Sequence, residues 1–88
     1  MPLIENYTPP APEDLARLKD ELGLTGNQMA DLAGLAGSNH WRKYTGGESP
    51  RVMGLHMLFY MAAQLELKPE ELQKVLKKMI EIGASLES

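Results

Sequence analysis

The sequence predicts a compact all-α domain of five helices. After residue 12 the apolar residues recur at spacings of three and four, the period of an α-helix with one buried face. Glycines, prolines and capping residues interrupt that pattern at short intervals, and no segment alternates as a half-buried strand does. With 88 residues, 43% of them apolar, and no cysteine, the chain can build one small core that packing alone must hold.

The N-terminal part is predicted to be an extended arm followed by the first helix. Residues 1–12 are rich in proline and show no apolar period, so they are assigned to the arm. The main domain follows over residues 13–83. Its first helix is predicted over about 13–22, because Leu15, Leu18 and Leu22 share one face and Gly23 is a good helix end.

Two short helices separated by a tight turn come next. Thr25 and Gln28 have the spacing of a capping box, which predicts a helix over about 26–33. Residues 34–37 then break the helix, and we expect Leu35 within this turn to pack back into the core. A third helix is predicted from Ser38 to the glycines at 46–47, so that a helix-turn-helix occupies about 25–46.

The remaining chain predicts two further helices. Ser49 and Pro50 form a typical helix start and predict a helix over about 50–66, the most apolar segment of the chain. Pro69 opens the C-terminal helix, predicted over about 69–83 and ended by Gly83.

The charge is distributed unevenly, although the net charge is only −3. Residues 1–36 carry two cations against six carboxylates, and residues 61–88 carry four lysines against five glutamates. Residues 37–60 instead carry three cations against one carboxylate, together with His40 and His56. A local basic face on an acidic body can meet phosphate, and a chance fluctuation is the alternative explanation.

The predicted third helix is amphipathic. At about 100° per residue from Ser38, Trp41 and Tyr44 fall at about 300° and 240°, on a face that we expect to point inward. Asn39, Arg42 and Lys43 fall at about 100°, 40° and 140°, on the opposite face. Arginine can bind guanine, asparagine can bind adenine and lysine can bind phosphate, so this face suits DNA readout. The alternative is an ordinary solvated helix face.

A family resemblance rests on residues between Leu15 and Leu72. The first group is Leu15, Leu18-Lys19 and Leu22-Gly23-Leu24-Thr25. The others are Met29-Ala30, Leu32-Ala33-Gly34-Leu35, Trp41, Tyr44, Gly47, Pro50, Leu65, Leu67 and Leu72. With this spacing, about residues 13–72 resemble the Cro/cI-type (XRE) helix-turn-helix regulators of phages and bacteria. The resemblance implies a lambda-repressor-like domain that reads operator DNA with its third helix, usually as a two-fold dimer.

The chain departs from the family pattern at two places. Gly26 stands where the family usually has glutamine, so Asn27 or Gln28 is expected to supply that phosphate and support role. The turn from Leu35 to Trp41 is one residue longer than usual, which leaves the register of the third helix open by one residue. His40, at about 200°, borders both faces, and it is either a DNA contact or a packed rim residue.

The predicted function is a sequence-specific DNA-binding transcriptional regulator, a repressor. Its partner is double-stranded DNA. The residues predicted to read bases are Ser38, Asn39, Arg42 and Lys43. The residues predicted to contact or support the DNA backbone are Asn27, Gln28, His40, Thr45 and Arg51.

The C-terminal helix predicts a homodimer, because it carries more apolar surface than a small domain readily buries. The residues assigned to this contact are Leu72, Val75, Leu76, Met79, Ile80, Ile82 and Leu86. The alternative is that they cover the core formed by the first and fourth helices.

Other classes of function are less well supported by the sequence. We expect no enzyme, catalytic residue, cofactor or metal site, because no nucleophile, phosphate loop, acid–base pair or ligand spacing stands out. No membrane span and no signal peptide are expected, so the protein is assigned to the cytoplasm. The alternative function is a protein-interaction module, such as an antitoxin or accessory factor, that binds a partner through the proline-rich arm or the C-terminal helix.

Overall fold

The computed structural model describes residues 1–87 and confirms the all-α fold of five helices, with no strand in that range. The helices are α1 (Pro12–Leu22), α2 (Gly26–Ala33), α3 (Ser38–Thr45), α4 (Leu55–Glu66) and α5 (Pro69–Ile82). Within residues 1–87, no helix combines the length and the apolar character needed to cross a membrane.

Local signals explain where the first two helices begin and end. At the start of α1, the Asp14 carboxylate accepts a hydrogen bond from the Ala11 backbone N–H at 2.8 Å. α1 ends at Gly23 and α2 at Gly34, with φ angles of 66° and 75° that glycine adopts without strain. A Cβ at position 34 would make an ordinary contact of 3.4 Å with the Tyr60 ring, so it is the positive φ and not the packing that favours glycine there.

The core lies among α1, α2, α3 and α4. It contains one leucine of α1, three residues of α2, both aromatics of α3 and two methionines. The buried residues are Leu15, Met29, Ala30, Ala33, Trp41, Tyr44, Met53 and Met61. Leu35, in the turn between α2 and α3, is half-buried against this cluster, as the sequence predicted.

The predicted helix over 50–66 is wrong at its start, because α4 begins only at Leu55. The preceding segment is held in a non-helical conformation by distant parts of the chain. Arg51 donates its backbone N–H to the carbonyl of Lys43 at 2.6 Å, and Met53 is fully buried. The Met53 carbonyl accepts a hydrogen bond from the Tyr7 hydroxyl at 2.7 Å. These contacts bind residues 50–54 to α3 and to the N-terminal arm.

α5 lies at the edge of the molecule, and none of its residues is buried. Leu72 is half-buried, whereas the apolar residues further along the helix are exposed. Two apolar grooves run between α4 and α5, one beside Phe59 and the other beside Tyr60. This arrangement leaves α5 with an apolar face that the rest of the chain does not cover.

Candidate nucleic-acid interface

The N-terminus of α2 is closed by the predicted capping box. The Thr25 hydroxyl accepts the Gln28 backbone N–H at 3.1 Å, and the Gln28 side-chain oxygen accepts the Thr25 backbone N–H at 2.8 Å. These two bonds satisfy the backbone N–H groups of Thr25 and Gln28, which have no hydrogen-bond acceptor within the helix. The remaining backbone N–H groups and the Gln28 amide NH₂ are still available to an anion.

α2 and α3 meet at a close contact that depends on Gly26. A Cβ at position 26 would lie 3.0 Å from the Cβ of Ser38, at the start of α3. Beside this contact, the Asn27 side-chain oxygen accepts the Ser38 backbone N–H at 3.0 Å. Asn27 therefore caps α3 from α2 and sets the position of α3. The sequence predicted a support role for Asn27 but gave no sign of its partner, which lies eleven residues away.

α3 presents two different faces. Trp41 and Tyr44 are 1% and 7% exposed and pack in the core. Asn39, Arg42 and Lys43 lie on the opposite face and are exposed. Because both aromatics are held by the domain, the polar face of α3 has a defined orientation relative to α2.

The other predicted contact residues surround this polar face. His40 is exposed, so it does not pack against the core. Ser38 and Thr45 are half-buried at the two ends of α3. Arg51 is exposed and lies beside the C-terminal part of α3, because its N–H binds the Lys43 carbonyl. It reaches this place from the extended segment and not, as predicted, from a helix start.

Two neighbouring exposed side chains of α3 are bonded to each other. The Arg42 guanidinium donates a hydrogen bond through Nη2 to the Asn39 side-chain oxygen. One turn of helix separates the two residues, so the bond stays on the outward face. The Asn39 amide NH₂ and the other N–H groups of Arg42 remain available as donors.

Arg42 and Thr45 border two grooves. The first, of about 530 Å³, separates α1 from the N-terminal ends of α2 and α3. Its polar lining residues are Lys19, Asp20, Thr25, Asn27, Ser38, Arg42 and Thr45. The second, of about 470 Å³, follows the outer face of α3 and includes Lys43 and the glycines at 46 and 47.

Lys19 is a candidate residue that sequence reasoning missed. It is half-buried and lines the first groove, which the exposed Asp20 also borders. Lys19 belongs to the family resemblance, but the sequence assigned it no role, because only the packing of α1 against α3 brings it to Ser38 and Arg42. It adds a cation at the edge of the candidate surface, defined here as the outward side chains of α3 with the N-terminus of α2.

The predicted dimer residues are mostly exposed along α5. Val75, Leu76, Met79 and Ile80 are 47%, 39%, 41% and 55% exposed and share one face of the helix. Ile82 lies at the last residue of α5, and Leu86 lies beyond its end. The structure thus brings together four of the predicted residues as one stripe, with Leu72 half-buried beneath it.

The chain matches no protein-family model, no curated protein and no solved structure.

Proposed function

We propose that the protein is a sequence-specific DNA-binding regulator that inserts α3 into the major groove. The observation that carries the proposal is the division of α3 into a buried aromatic face and an exposed face of Asn39, Arg42 and Lys43. A helix of this kind fits the major groove, which is about 12 Å wide. The resemblance to the Cro/cI-type regulators supports the same interpretation and adds repression as the expected mode of regulation.

Arg42 and Lys43 have different roles in this complex. Arg42 presents a planar fork of donors that matches the two acceptors of guanine, so it contributes to sequence preference. Lys43 lies toward the flank of the polar face and binds phosphate, which contributes affinity without sequence preference. Ser38 faces the groove at the N-terminal end of α3.

The N-terminus of α2 faces the phosphate backbone. Its free backbone N–H groups and the positive end of its dipole favour an anion there. The side-chain NH₂ groups of Asn27 and Gln28 add donors, because only their oxygens are used within the protein. Thr45, at the C-terminal end of α3, contacts the DNA backbone as well, and His40 and Arg51 add two further contacts.

The regulator acts as a homodimer through α5. The exposed stripe of Val75, Leu76, Met79 and Ile80 supports a partner, because apolar surface in one patch is costly to leave in water. A two-fold axis across α5 would let the stripe of one copy cover the stripe of the other, so the same residues meet on both sides of the contact.

A second candidate function is a protein-interaction module. The observation that favours it is a further apolar groove of about 310 Å³, lined by Pro2, Leu3, Ile4, Leu55, His56 and Phe59. Leu3 and Phe59 are 85% and 53% exposed there, as is expected where a partner chain covers them. In this case the exposed face of α3 is only a solvated surface.

The proposed function is tested by selecting bound duplexes from a random DNA library at moderate salt, with the wild type and two variants. Arg42→Ala removes the proposed base reader. Arg17→Ala is the matched control, because it removes the same side chain from α1, outside both grooves.

We expect the wild type and Arg17→Ala to enrich the same inverted repeat. Arg42→Ala should lose about 1–3 kcal/mol of affinity for that repeat and discriminate less between bases. A folded wild type that enriches no sequence would contradict the proposal and favour the interaction module. Steep loss of DNA affinity with salt would favour the regulator.

A further inference from the structure

The three amide side chains of α2 and α3 have one property in common. Each uses its carbonyl oxygen within the protein: Asn27 accepts from Ser38 N–H, Gln28 accepts from Thr25 N–H, and Asn39 accepts from the Arg42 guanidinium. A backbone N–H and a guanidinium can only donate, so the atom that faces them must be the oxygen. The NH₂ group of each amide is therefore left for an external ligand.

This pattern makes the centre of the candidate surface rich in hydrogen-bond donors. Arg42 and Lys43 have no acceptor atoms, and Arg42 already uses one of the two lone pairs of the Asn39 oxygen. Hydroxyls of Ser38 and Thr45, and the His40 imidazole, can still accept, but they lie at the ends and border of the helix face. Donors therefore outnumber free acceptors at the centre, which favours a ligand edge that presents acceptors.

The major-groove edges of the purines differ in this respect. Guanine presents two acceptors, N7 and O6, whereas adenine presents the acceptor N7 and the donor group at N6. Asparagine reads adenine by using its oxygen and its NH₂ together. Because Arg42 already uses one of the two lone pairs of the Asn39 oxygen, Asn39 keeps a single acceptor position for such a contact, whereas the guanidinium keeps several free donors.

Resting on the proposed DNA-binding function, we infer that Asn39 and Arg42 act as a unit that selects guanine. Arg42 contacts guanine N7 and O6, and Asn39 is a positioning residue that orients the guanidinium. This differs from the adenine contact that the sequence alone suggested for Asn39. Each half-site must therefore contain a guanine at the position that faces Asn39 and Arg42.

The base is tested on the selected duplex by replacing its guanines one at a time. 7-Deazaguanine lacks the N7 acceptor, whereas inosine keeps N7 and O6 and lacks only a minor-groove amino group. At one guanine of each half-site, we expect 7-deazaguanine to weaken wild-type binding by roughly 5–20-fold. Inosine at that position should leave the affinity within about threefold. If no guanine responds in this way, the inference is wrong.

The role of Asn39 is tested with two variants in binding assays on the guanine duplex and on its adenine counterpart. Asn39→Ala removes the oxygen that holds Arg42, so discrimination between the two duplexes should fall by roughly tenfold. Asn39→Asp keeps an acceptor for Arg42 and cannot donate to adenine N7. It should keep the preference for guanine while binding both duplexes more weakly, because its charge repels phosphate.

A double-mutant cycle separates positioning from an independent contact. In an Arg42→Ala background, Asn39→Ala should cause no further loss of guanine preference. Unchanged thermal midpoints are the folding control, since both side chains are exposed. Selection of adenine at this position, lost in both Asn39 variants, would overturn the inference and leave the proposed function intact. Enrichment of no sequence would overturn both.

Discussion

At the scale of single residues, the contact of Gly26 with Ser38 determines how α3 sits on α2. A Cβ at position 26 would lie 3.0 Å from the Cβ of Ser38, so glycine lets the two helices come this close without a shift of Ser38. The Asn27 bond to Ser38 N–H lies beside this contact. Position 26 is therefore part of the packing that orients the polar face of α3, although it presents no side chain of its own.

We expect Gly26→Ala to destabilise the domain by roughly 1 kcal/mol, in spite of alanine's better helix propensity, because the new Cβ forces α2 and α3 apart. Gly54→Ala is the matched control, since a Cβ at position 54 meets nothing within 4 Å. Urea unfolding followed by circular dichroism measures both variants. An equal effect of the two substitutions would argue against a tight contact at Gly26.

A substitution of Lys43 tests whether Lys43 binds phosphate while Arg42 reads a base. Lys43→Ala should weaken binding to every duplex by a similar factor and lower the salt dependence of binding by about one phosphate contact. Lys77→Ala on α5 removes the same charge far from the candidate surface and should leave the salt slope unchanged. Fluorescence anisotropy over a range of salt concentrations measures both. A sequence-dependent loss in Lys43→Ala would assign it to base readout instead.

At the scale of elements, a helix boundary could be predicted from the sequence where nearby residues determine it, but not where distant residues do. α2 occupies the predicted residues because its start and end depend on Thr25, Gln28 and Gly34, which lie within or next to it. α4 begins later than predicted because Met53 and its Tyr7 partner act over 46 positions of the chain. The same limit applies to the candidate site, where helical spacing gave the exposed face of α3 but not its neighbour Lys19.

The start of α1 makes folding stability depend on pH. The hydrogen bond from the Ala11 backbone N–H, with a further one from Arg17, lowers the pKa of Asp14 below its usual 3.8. A carboxylate whose pKa is lower in the folded state stabilises the fold at neutral pH, and this contribution is lost as the pH falls through the folded-state pKa. We expect the thermal midpoint of Asp14→Asn to fall less than that of the wild type between pH 5 and pH 2.5. Parallel pH profiles of the two midpoints would rule out a role for the Asp14 charge.

At the scale of the whole molecule, the proposed dimer determines how two copies of α3 meet DNA. An acidic chain of net charge −3 is repelled by DNA except where its basic face is presented, so orientation matters for binding. Two copies related by a two-fold axis through α5 would present two α3 helices to half-sites about one turn, or 34–36 Å, apart. Such a dimer binds two half-sites that are related by the same two-fold axis, and this is why we expect selection to give an inverted repeat.

A charge placed on the α5 stripe should separate the copies without unfolding either. We expect Val75→Glu to give a monomer and to weaken binding to the full inverted repeat much more than binding to one half-site, because the apolar contact becomes charged. Ser85→Glu adds the same charge beyond the end of α5 and serves as control. Light scattering reports the mass, and a dimer that persists in Val75→Glu would place the contact elsewhere.

The most direct test of the proposed interface is an NMR titration of the ¹⁵N-labelled protein with the selected duplex. If α3 enters the major groove, the largest amide shift changes will fall between Thr25 and Arg51, centred on α3 and the N-terminus of α2. α4 and the start of α5 will change little. Changes concentrated on α4, α5 or the N-terminal arm, with α3 unaffected, would contradict DNA binding through this face.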